Sequence, residues 1–369
     1  MSTKAQKPLK GKKIRMKIKG FEISNDITLN DTLKHGFYYN HELMDLFLNS
    51  ILLIDLDKRK YKNDEITLNL VEYKQSSNIN IMEGIFTTAR HGIRKTTINI
   101  ETQEEMNTIE HYEGVKNEIL FTLDKKKGLL LVQEDKQNHV FSRSILKSFL
   151  YSHRNLIFPY IEEFNRKNTA NKASLYKRGF YAINSLPPID FIEKLNEFKT
   201  IKSGILYINS SENNQGNNDV IQKLEEELTD HEIVDYDIEM KIKNKSPYGM
   251  VKTFEKYFNR MMEIQKYDDY AIEGVTKSGA TKKITPDSIT REFDIEVHVN
   301  GKGLANLDDI FNGMENIILH KTPLVDKKEF DQSFFIKDDT SVQKKIQEIA
   351  NAINKPEEAQ EEERKEQAE

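Results

Sequence analysis

The chain contains no cysteine among its 369 residues. That absence excludes disulfide bonds, thiolate metal ligands and cysteine nucleophiles, and it is typical of a reducing cytoplasm. No apolar run reaches the roughly 20 residues that cross a bilayer. The longest candidate, Leu43 to Leu56, is interrupted by Asp45, Asn49 and Asp55. Because no apolar segment follows the basic N-terminus, a secretory signal is not expected either. We therefore expect a cytoplasmic protein without a membrane partner.

Several catalytic motifs are also missing. The sequence lacks the Walker A phosphate loop, the H-E-x-x-H zinc motif, a dinucleotide-binding glycine fingerprint and the G-x-S-x-G nucleophile elbow. The nine histidines are scattered, and the nearest pair, His35 and His41, lacks a third ligand for a metal. These absences favour a protein that has no catalytic activity of its own.

Charge is distributed unevenly along the chain. From Lys4 to Lys19 every charged residue is basic, whereas the residues after Pro356 read EEAQEEERKEQAE. The formal net charge of -5 conceals this polarity. Blocks of like charge at chain ends are usually solvated interaction arms. We expect a flexible basic arm over residues 1–12, and a helix followed by a disordered acidic tail over residues 339–369.

Composition predicts a folded body that carries polar arms. The chain is 37% hydrophobic and 31% charged, and its 19 Phe and 15 Tyr provide material for a core. Its length favours two domains. Strands and helices alternate without a regular βαβ rhythm, which predicts an α+β fold. We place a β-rich N-terminal domain with following helices at residues 13–168 and a mixed α+β C-terminal domain at residues 173–338.

The periodicity of apolar residues predicts the individual elements. Strands are predicted at Ile14–Phe21, Ile66–Tyr73, Ile79–Phe86, Lys95–Ile100, Glu118–Leu123, Leu129–Gln133, Leu175–Ile183, Gly204–Ile208, Ile233–Ile242, Tyr270–Val275 and Ile289–Val299. Helices are predicted at His41–Asp55, Ser142–Arg154, Pro159–Arg166, Pro187–Leu195, Asp219–Leu228, Met250–Ile264, Leu304–Leu319 and Val342–Ile353.

One segment fits metal-dependent nuclease chemistry. Glu72-Tyr73-Lys74 ends a predicted strand, with Asp55, Asp57 and Asp64 upstream, and the sequence does not decide which of these carboxylates would take part. Nucleases of the PD-(D/E)xK class place an Asp and an E-x-K on adjacent strands, where the carboxylates hold Mg²⁺ and the Lys helps to activate water. The same spacing recurs at Glu239-Met240-Lys241, as chance allows in a chain rich in Glu and Lys. A nuclease with Asp55, Glu72 and Lys74 as catalytic residues is therefore an alternative, and Mg²⁺ is expected only under it.

A second segment fits phosphate binding. Arg90-His91-Gly92-Ile93-Arg94-Lys95 lies between two β-like segments, and its forked donors suit phosphate oxygens. The predicted helix Ser142–Arg154 adds basic residues beside an aromatic one, Tyr151. The connector TKSGATKK adds further lysines. The same segments are also typical of solvated turns. The predicted nucleic-acid surface consists of Arg90, His91, Arg94, Lys95, Arg143, Lys147, Arg154, Lys282 and Lys283.

Three segments carry a resemblance to a known group of proteins. GIFTTARHGIRKTTINIETQ (Gly84 to Gln103), EILFTLDKKKGLLLVQED (Glu118 to Asp135) and SRSILKSFL (Ser142 to Leu150) resemble, in their layout, the RexA-like phage-exclusion and antiphage accessory proteins of prophages and plasmids. The shared layout is a basic turn, a β-pair that ends in an apolar strand, and a helix. It covers roughly the first half of the chain. The resemblance implies a two-domain, dimeric DNA-binding protein that acts in bacterial phage defence.

These observations lead to one functional expectation. We expect a non-catalytic protein without a cofactor that binds nucleic acid, above all double-stranded DNA, through phosphate contacts that salt weakens. A protein partner or a homodimer remains open, and in a further alternative the protein is an interaction subunit that docks through its acidic tail.

Overall fold

The computed structural model describes residues 12–30, 32–63, 65–177, 179–186, 197–209, 237–243, 269–285, 290–300, 303–321, 328–329, 336 and 339–355. They form an α+β fold, which confirms the predicted fold class. Of the predicted basic arm, the structure describes Lys12 alone. Several predicted segments lie outside the described residues: the rest of that arm, the acidic tail beyond Lys355, and the helices at Pro187–Leu195, Asp219–Leu228 and Met250–Ile264.

The strands are β1 (Lys12–Leu29), β2 (Thr32–Tyr39), β3 (Tyr61–Lys62), β4 (Ile66–Gln75), β5 (Ile81–Arg90), β6 (Lys95–Ile98), β7 (Glu105–Ile109), β8 (Asn117–Asp124), β9 (Leu129–Gln133), β10 (Ala173–Leu175), β11 (Ala182–Ser185), β12 (Phe198–Asn209), β13 (Asp237–Lys243), β14 (Asp269–Thr276), β15 (Thr281–Ile284), β16 (Glu292–Val299) and β17 (Lys328–Glu329). The helices are α1 (His41–Leu52), α2 (Arg143–Ser152), α3 (Phe158–Lys167), α4 (Leu307–His320) and α5 (Thr340–Asn354), with short 3-10 turns at Arg154–Ile157 and Thr169–Asn171.

Strand β1 organises the larger sheet, which is largely antiparallel and curled. Along its 18 residues β1 pairs successively with β16, β9, β11, β2 and β10. Beyond β9 the sheet continues through β8, β5, β4 and β3. Strands β10, β11 and β16 come from the residues assigned to the C-terminal domain, so this sheet extends across the predicted boundary near residues 168–173. The division into two domains stays a prediction.

The main core lies between this sheet and helices α1, α2, α3 and α5. Its centre is aromatic: the rings of Phe86 and Phe121 are stacked with their centroids 4.5 Å apart, and Phe149 meets Phe86 edge-on. Gly84 permits this packing, because a Cβ at that position would lie 2.2 Å from the Phe121 ring. Aromatic burial of this kind contributes a large share of folding energy.

A smaller core lies under α4. Asn306 caps this helix by accepting from the backbone N–H of Asp308. The helix packs Ile310 and Met314 against Ile18 of β1 and Val297 of β16. The elements predicted in this region, a strand ending at Val299 and a helix over Leu304–Leu319, are therefore confirmed, with β16 and α4 slightly shorter than predicted.

One predicted element is wrong. The segment Leu175–Ile183, predicted as a single strand, forms parts of β10 and β11 with an irregular stretch between them. The chain leaves the sheet there because Phe180 is buried, with its ring 5.2 Å from that of Phe47. The carbonyl of Phe180 accepts from the side chain of Asn25 and the backbone N–H of Asp26, which fixes the excursion.

Two smaller sheets complete the fold. Strands β13, β12, β14 and β15 form a four-stranded antiparallel sheet in that order. Strands β6 and β7 form a two-stranded ribbon between β5 and β8. The sequence predicted neither β2 nor β7.

Asn25 joins three parts of the main core, and we expect its removal to destabilise the protein. Its Oδ1 accepts from the backbone N–H of Asn40, 2.7 Å away, and its Nδ2 donates to Phe180. Because Asn25→Ala removes the acceptor of the buried backbone N–H of Asn40 and one of the two hydrogen bonds to the carbonyl of Phe180, the free energy of unfolding should fall by about 2–3 kcal/mol. Urea denaturation measures this loss. The exposed helical residue Asn316 provides the control, since Asn316→Ala should change stability by less than about 0.5 kcal/mol.

Candidate nucleic-acid interface

The side chain of Arg90, at the end of β5, is held by the protein itself. Its Nε donates to the carbonyl of Asn138, 3.1 Å away, and its Nη2 to that of His139 at 3.4 Å. Arg90 therefore helps to close the connection between β9 and α2, with two hydrogen bonds from its guanidinium to protein carbonyls.

Asp135 organises the same connection. It is buried and accepts from the backbone N–H groups of Asn138, Val140 and Phe141 and from the side chain of Asn117. Burial by itself would raise the pKa of Asp135, but these hydrogen bonds outweigh it, and the pKa is lowered from 3.8. The loop that receives Arg90 is thus rigidly built, which indicates a structural role for Arg90.

The rest of the predicted basic turn is only weakly positive. Arg94 lies with its Nε 3.5 Å from Glu110, whereas Lys95 is exposed. The Nε2 atom of His91 is buried and has no hydrogen-bond partner among the described residues. Residues 90–116 contain the basic residues Arg90, Arg94, Lys95 and Lys116 and the acidic residues Glu101, Glu104, Glu105, Glu110 and Glu113. This acidic excess opposes phosphate binding by the segment as a whole.

The three basic residues predicted around α2 do not form an exposed patch, which corrects their place in the predicted surface. Arg143 is only 5% exposed and donates to the carbonyl of Ile183 on β11. Lys147 is half-buried. The guanidinium of Arg154 lies 3.5 Å from the ring centroid of Tyr151 and also donates to its carbonyl. Arg154 therefore covers one face of the Tyr151 ring.

The basic start of β1 is neutralised by β16. Arg15, Lys17 and Lys19 lie directly opposite Glu296, Asp294 and Glu292, respectively. Diagonal ion pairs join Lys17 to Glu292 at 2.6 Å and Lys13 to Glu296 at 3.5 Å. The hydrogen bond to Glu292 raises the pKa of Lys17. This part of the basic N-terminal block therefore faces acidic side chains.

The residues of the nuclease alternative have separate partners. Asp55 follows α1, and its backbone N–H donates to the side chain of Asn354 at the end of α5. Glu72 and Lys74 form an ion pair along β4. The hydrogen bond to Glu72 raises the pKa of Lys74. Within the part of the chain that the structure describes, no three His, Asp or Glu residues are grouped to hold a metal ion. The nuclease stays an untested alternative.

The four-stranded sheet contains two lysines at irregular positions of its long strand. Between Phe198 and Thr200, and again between Ile201 and Ser203, β12 has one residue more than its partner β14. The extra residues are Lys199 and Lys202, and both are exposed. A β-bulge of this kind redirects a side chain and increases the local twist.

One row of paired residues across the strands of this sheet has a lysine at each end. Lys243, Ser203, Glu273 and Lys283 lie opposite one another on β13, β12, β14 and β15. Glu273 accepts from Ser203 and from Lys241, each at 2.9 Å, and these hydrogen bonds lower its pKa. The carboxylate of Glu273 thus lies among three lysines, Lys241, Lys243 and Lys283, and the net charge of these four residues is positive.

The turn between β14 and β15 forms an open cavity of about 650 Å³ at the same end of the sheet. It is lined by Glu197, Thr276, Lys277, Ser278, Ala280, Thr281 and Lys282. Lys282 pairs with Glu197 at 2.6 Å. We call this region the basic end of the sheet, defined by Lys199, Lys202, Lys241, Lys243, Lys277, Lys282 and Lys283. Among its described side chains the acidic ones are Glu197 and Glu273.

Sequence reasoning found Lys282 and Lys283 but missed the lysines of β12 and β13. A signal was present in FKTIKSGI, where Lys199 and Lys202 are three residues apart. In a regular strand such residues point to opposite faces, since the side-chain period is two. That both are exposed follows from the bulges, which strand periodicity alone does not reveal.

The geometry at Asp135 predicts acid sensitivity. Because its folded-state pKa is lowered, its stabilising contribution is present above the unfolded pKa near 3.8 and is lost as pH falls through the folded value. We expect the free energy of unfolding of the wild type to fall as pH decreases through this acid range. The Asp135→Asn protein should have a lower free energy of unfolding above this range and should lose less of it on acidification. Denaturant titrations at a series of pH values measure both curves, and identical acid responses would contradict the assignment.

Comparisons with known proteins add no identity. No protein-family description matches the chain, and no curated protein matches it in sequence. No helix in the described ranges is long and apolar enough to span a membrane.

Proposed function

We propose that the protein binds nucleic acid without catalysing a reaction on it, and that the basic end of the sheet makes the principal contact. The observation that carries this proposal is the pair of β-bulges at Lys199 and Lys202, both of which are exposed on β12. Of the residues that the structure describes, none forms an ion pair with either lysine. Their charges are available to phosphate groups.

The chemistry of the site suits the sugar–phosphate backbone. A lysine ammonium is a compact charge on a flexible stem and binds phosphate without selecting a base. Four further lysines, Lys241, Lys243, Lys277 and Lys283, extend the positive region across three strands and a turn. We expect affinity to be largely independent of sequence and to fall steeply with salt, because phosphate binding releases counterions.

Duplex DNA is the ligand that this surface fits best. Proteins that hold single strands usually stack the bases on aromatic rings. The described side chains of the basic end include no exposed aromatic ring, and Phe198 at the start of β12 is buried. Backbone contact to a double strand needs no such ring.

The wider biological role rests on the resemblance to RexA-like proteins. A charge-based DNA contact, without a catalytic group, agrees with an accessory role in bacterial phage defence. Within the same proposal the protein acts in the cytoplasm, where its DNA ligand is found.

Replacing the two bulge lysines should weaken binding in a defined way. For Lys199→Ala with Lys202→Ala, the slope of log K against log salt for duplex DNA should become shallower by about two, since each phosphate contact contributes roughly 0.9. Fluorescence anisotropy at several salt concentrations, with Mg²⁺ present and the products examined on a gel, measures the slope and any cleavage.

Two matched variants complete the experiment. Lys344→Ala with Lys345→Ala removes two exposed charges from α5, which packs on α1 and α3, and should leave the slope unchanged. Arg94→Ala tests the basic turn predicted at residues 90–95 and should also leave the salt slope nearly unchanged. An unchanged slope in the bulge variant, or a loss confined to Arg94→Ala, would contradict the proposal. Mg²⁺-dependent cleavage that Glu72→Ala abolishes would favour the nuclease instead.

A further inference from the structure

The segment between β5 and β8, residues 91–116, projects from the sheet as an arm built on β6 and β7. Every residue from Gly92 to Thr108 is exposed except Asn99, which is half-buried. Among the described strands, β6 and β7 pair only with each other. A lone two-stranded ribbon is marginally stable in water, and its open edges are sites for pairing with another strand.

The arm also concentrates apolar surface. Twelve large apolar side chains are exposed among the described residues, and half of them lie on this arm. They are Ile93, Ile98, Ile100, Met106, Tyr112 and Val115, of which Ile100 is 85% exposed. Scattered exposed apolar residues are ordinary, but a contiguous group marks an interaction surface.

Charge on the arm is polarised from base to tip. The tip, residues 96–108, carries Glu101, Glu104 and Glu105 and no basic residue. The base, residues 91–95 and 109–116, carries three basic and two acidic residues. An acidic tip is repelled by phosphate, which argues against insertion of the arm into nucleic acid or an anionic lipid surface.

We propose that the arm docks on the arm of a second copy of this chain, in an antiparallel arrangement about a two-fold axis. A two-fold interface places the same surface on both partners. Two antiparallel arms put the basic base of each beside the acidic tip of the other, so the unlike charges meet twice. A parallel arrangement would bring tip to tip and oppose like charges. The apolar side chains of both arms are then covered together.

The β6 edge suits this contact better than the β7 edge. Strand β6 begins with Lys95 and is otherwise uncharged, so its open side carries no repelling pair. Strand β7 begins with Glu105 and is followed by Glu110, with Glu104 before it. Two antiparallel β7 strands would bring such glutamates together, and like charges opposite one another destabilise a strand pair.

The first test is the oligomeric state of the full-length protein, measured by sedimentation equilibrium over a range of concentrations. The wild type should be in monomer–dimer equilibrium. Ile98→Glu should weaken self-association by about tenfold or more, as truncation of a central apolar contact does. Ile79→Glu, at an exposed apolar residue outside the arm, should leave the dimer intact. A wild type that remains monomeric, or an Ile98→Glu protein that dimerises normally, overturns the proposal.

Charge reversal tests the antiparallel geometry. One variant carries Arg94→Glu with Lys95→Glu at the base, and the other carries Glu101→Lys with Glu104→Lys at the tip. Each alone should be monomeric, because base and tip then have the same sign. A mixture of the two should recover heterodimers, since the acidic base and tip of one face the basic base and tip of the other. Failure of the mixture to associate overturns the antiparallel arrangement. DNA binding by the monomeric variants is a separate readout, so this inference and the proposed function can fail independently.

Discussion

Antiparallel pairing along β1 is the constraint on which most of the structure depends. This strand of 18 residues pairs with five others, two of which come from residues 173–185 and one from residues 292–299. Its alternation sets the register, because Ile14, Met16 and Ile18 face the core under α4 while the intervening lysines and Arg15 meet the acidic residues of β16. A slip by one residue would exchange these faces and bury the charges. The ion pairs are exposed and contribute little stability by themselves, so we assign them chiefly to specifying the register.

This pairing also decides which basic residues remain available. Lys13 and Lys17, part of the basic N-terminal block, are matched by Glu296 and Glu292. Arg90 is used to close the connection that Asp135 organises. The bulge lysines of β12 lie opposite mostly uncharged residues of β14. Lys199 falls between the positions paired with Thr276 and Val275, and Lys202 between those paired with Gly274 and Glu273, the carboxylate that already accepts from Ser203 and Lys241. The distribution of opposite charges, more than the number of lysines, therefore determines where phosphate is expected to bind.

Periodicity in the sequence predicted much of the secondary structure. The alternation in Ile66–Tyr73, the short apolar run in Leu129–Gln133 and the helical spacing in His41–Asp55 each correspond to an observed element. The run Leu129 to Val132 is buried throughout, because alternate residues pack into the two cores on either side of the sheet. The same reasoning failed at Leu175–Ile183, where burial of Phe180 interrupts the strand. Pairing between β1 and β16 joins residues about 280 positions apart, and nothing local in either segment names its partner.

The candidate site was less accessible to sequence reasoning than the fold. Lys282 and Lys283 were found because they adjoin a recognisable turn, whereas Lys199 and Lys202 depend on bulges that only the pairing with β14 creates. Arg143 was placed on the binding surface although it is buried, because its spacing in the helix does not show that β11 packs over it. Charge patterns indicate chemistry, but tertiary contacts determine which charges reach the solvent.

We propose two surfaces of opposite character: a lysine-rich end of one sheet for nucleic acid and an apolar, acid-tipped arm for a second copy of the chain. The most direct test of the central claim is hydrogen–deuterium exchange of the full-length protein with and without duplex DNA at low salt. The account predicts slower exchange in residues 198–205 and 272–284 and no DNA-dependent change at the acidic tip, residues 96–108. Protection of the tip, or no protection in β12 and the β14–β15 turn while DNA is bound, would contradict it.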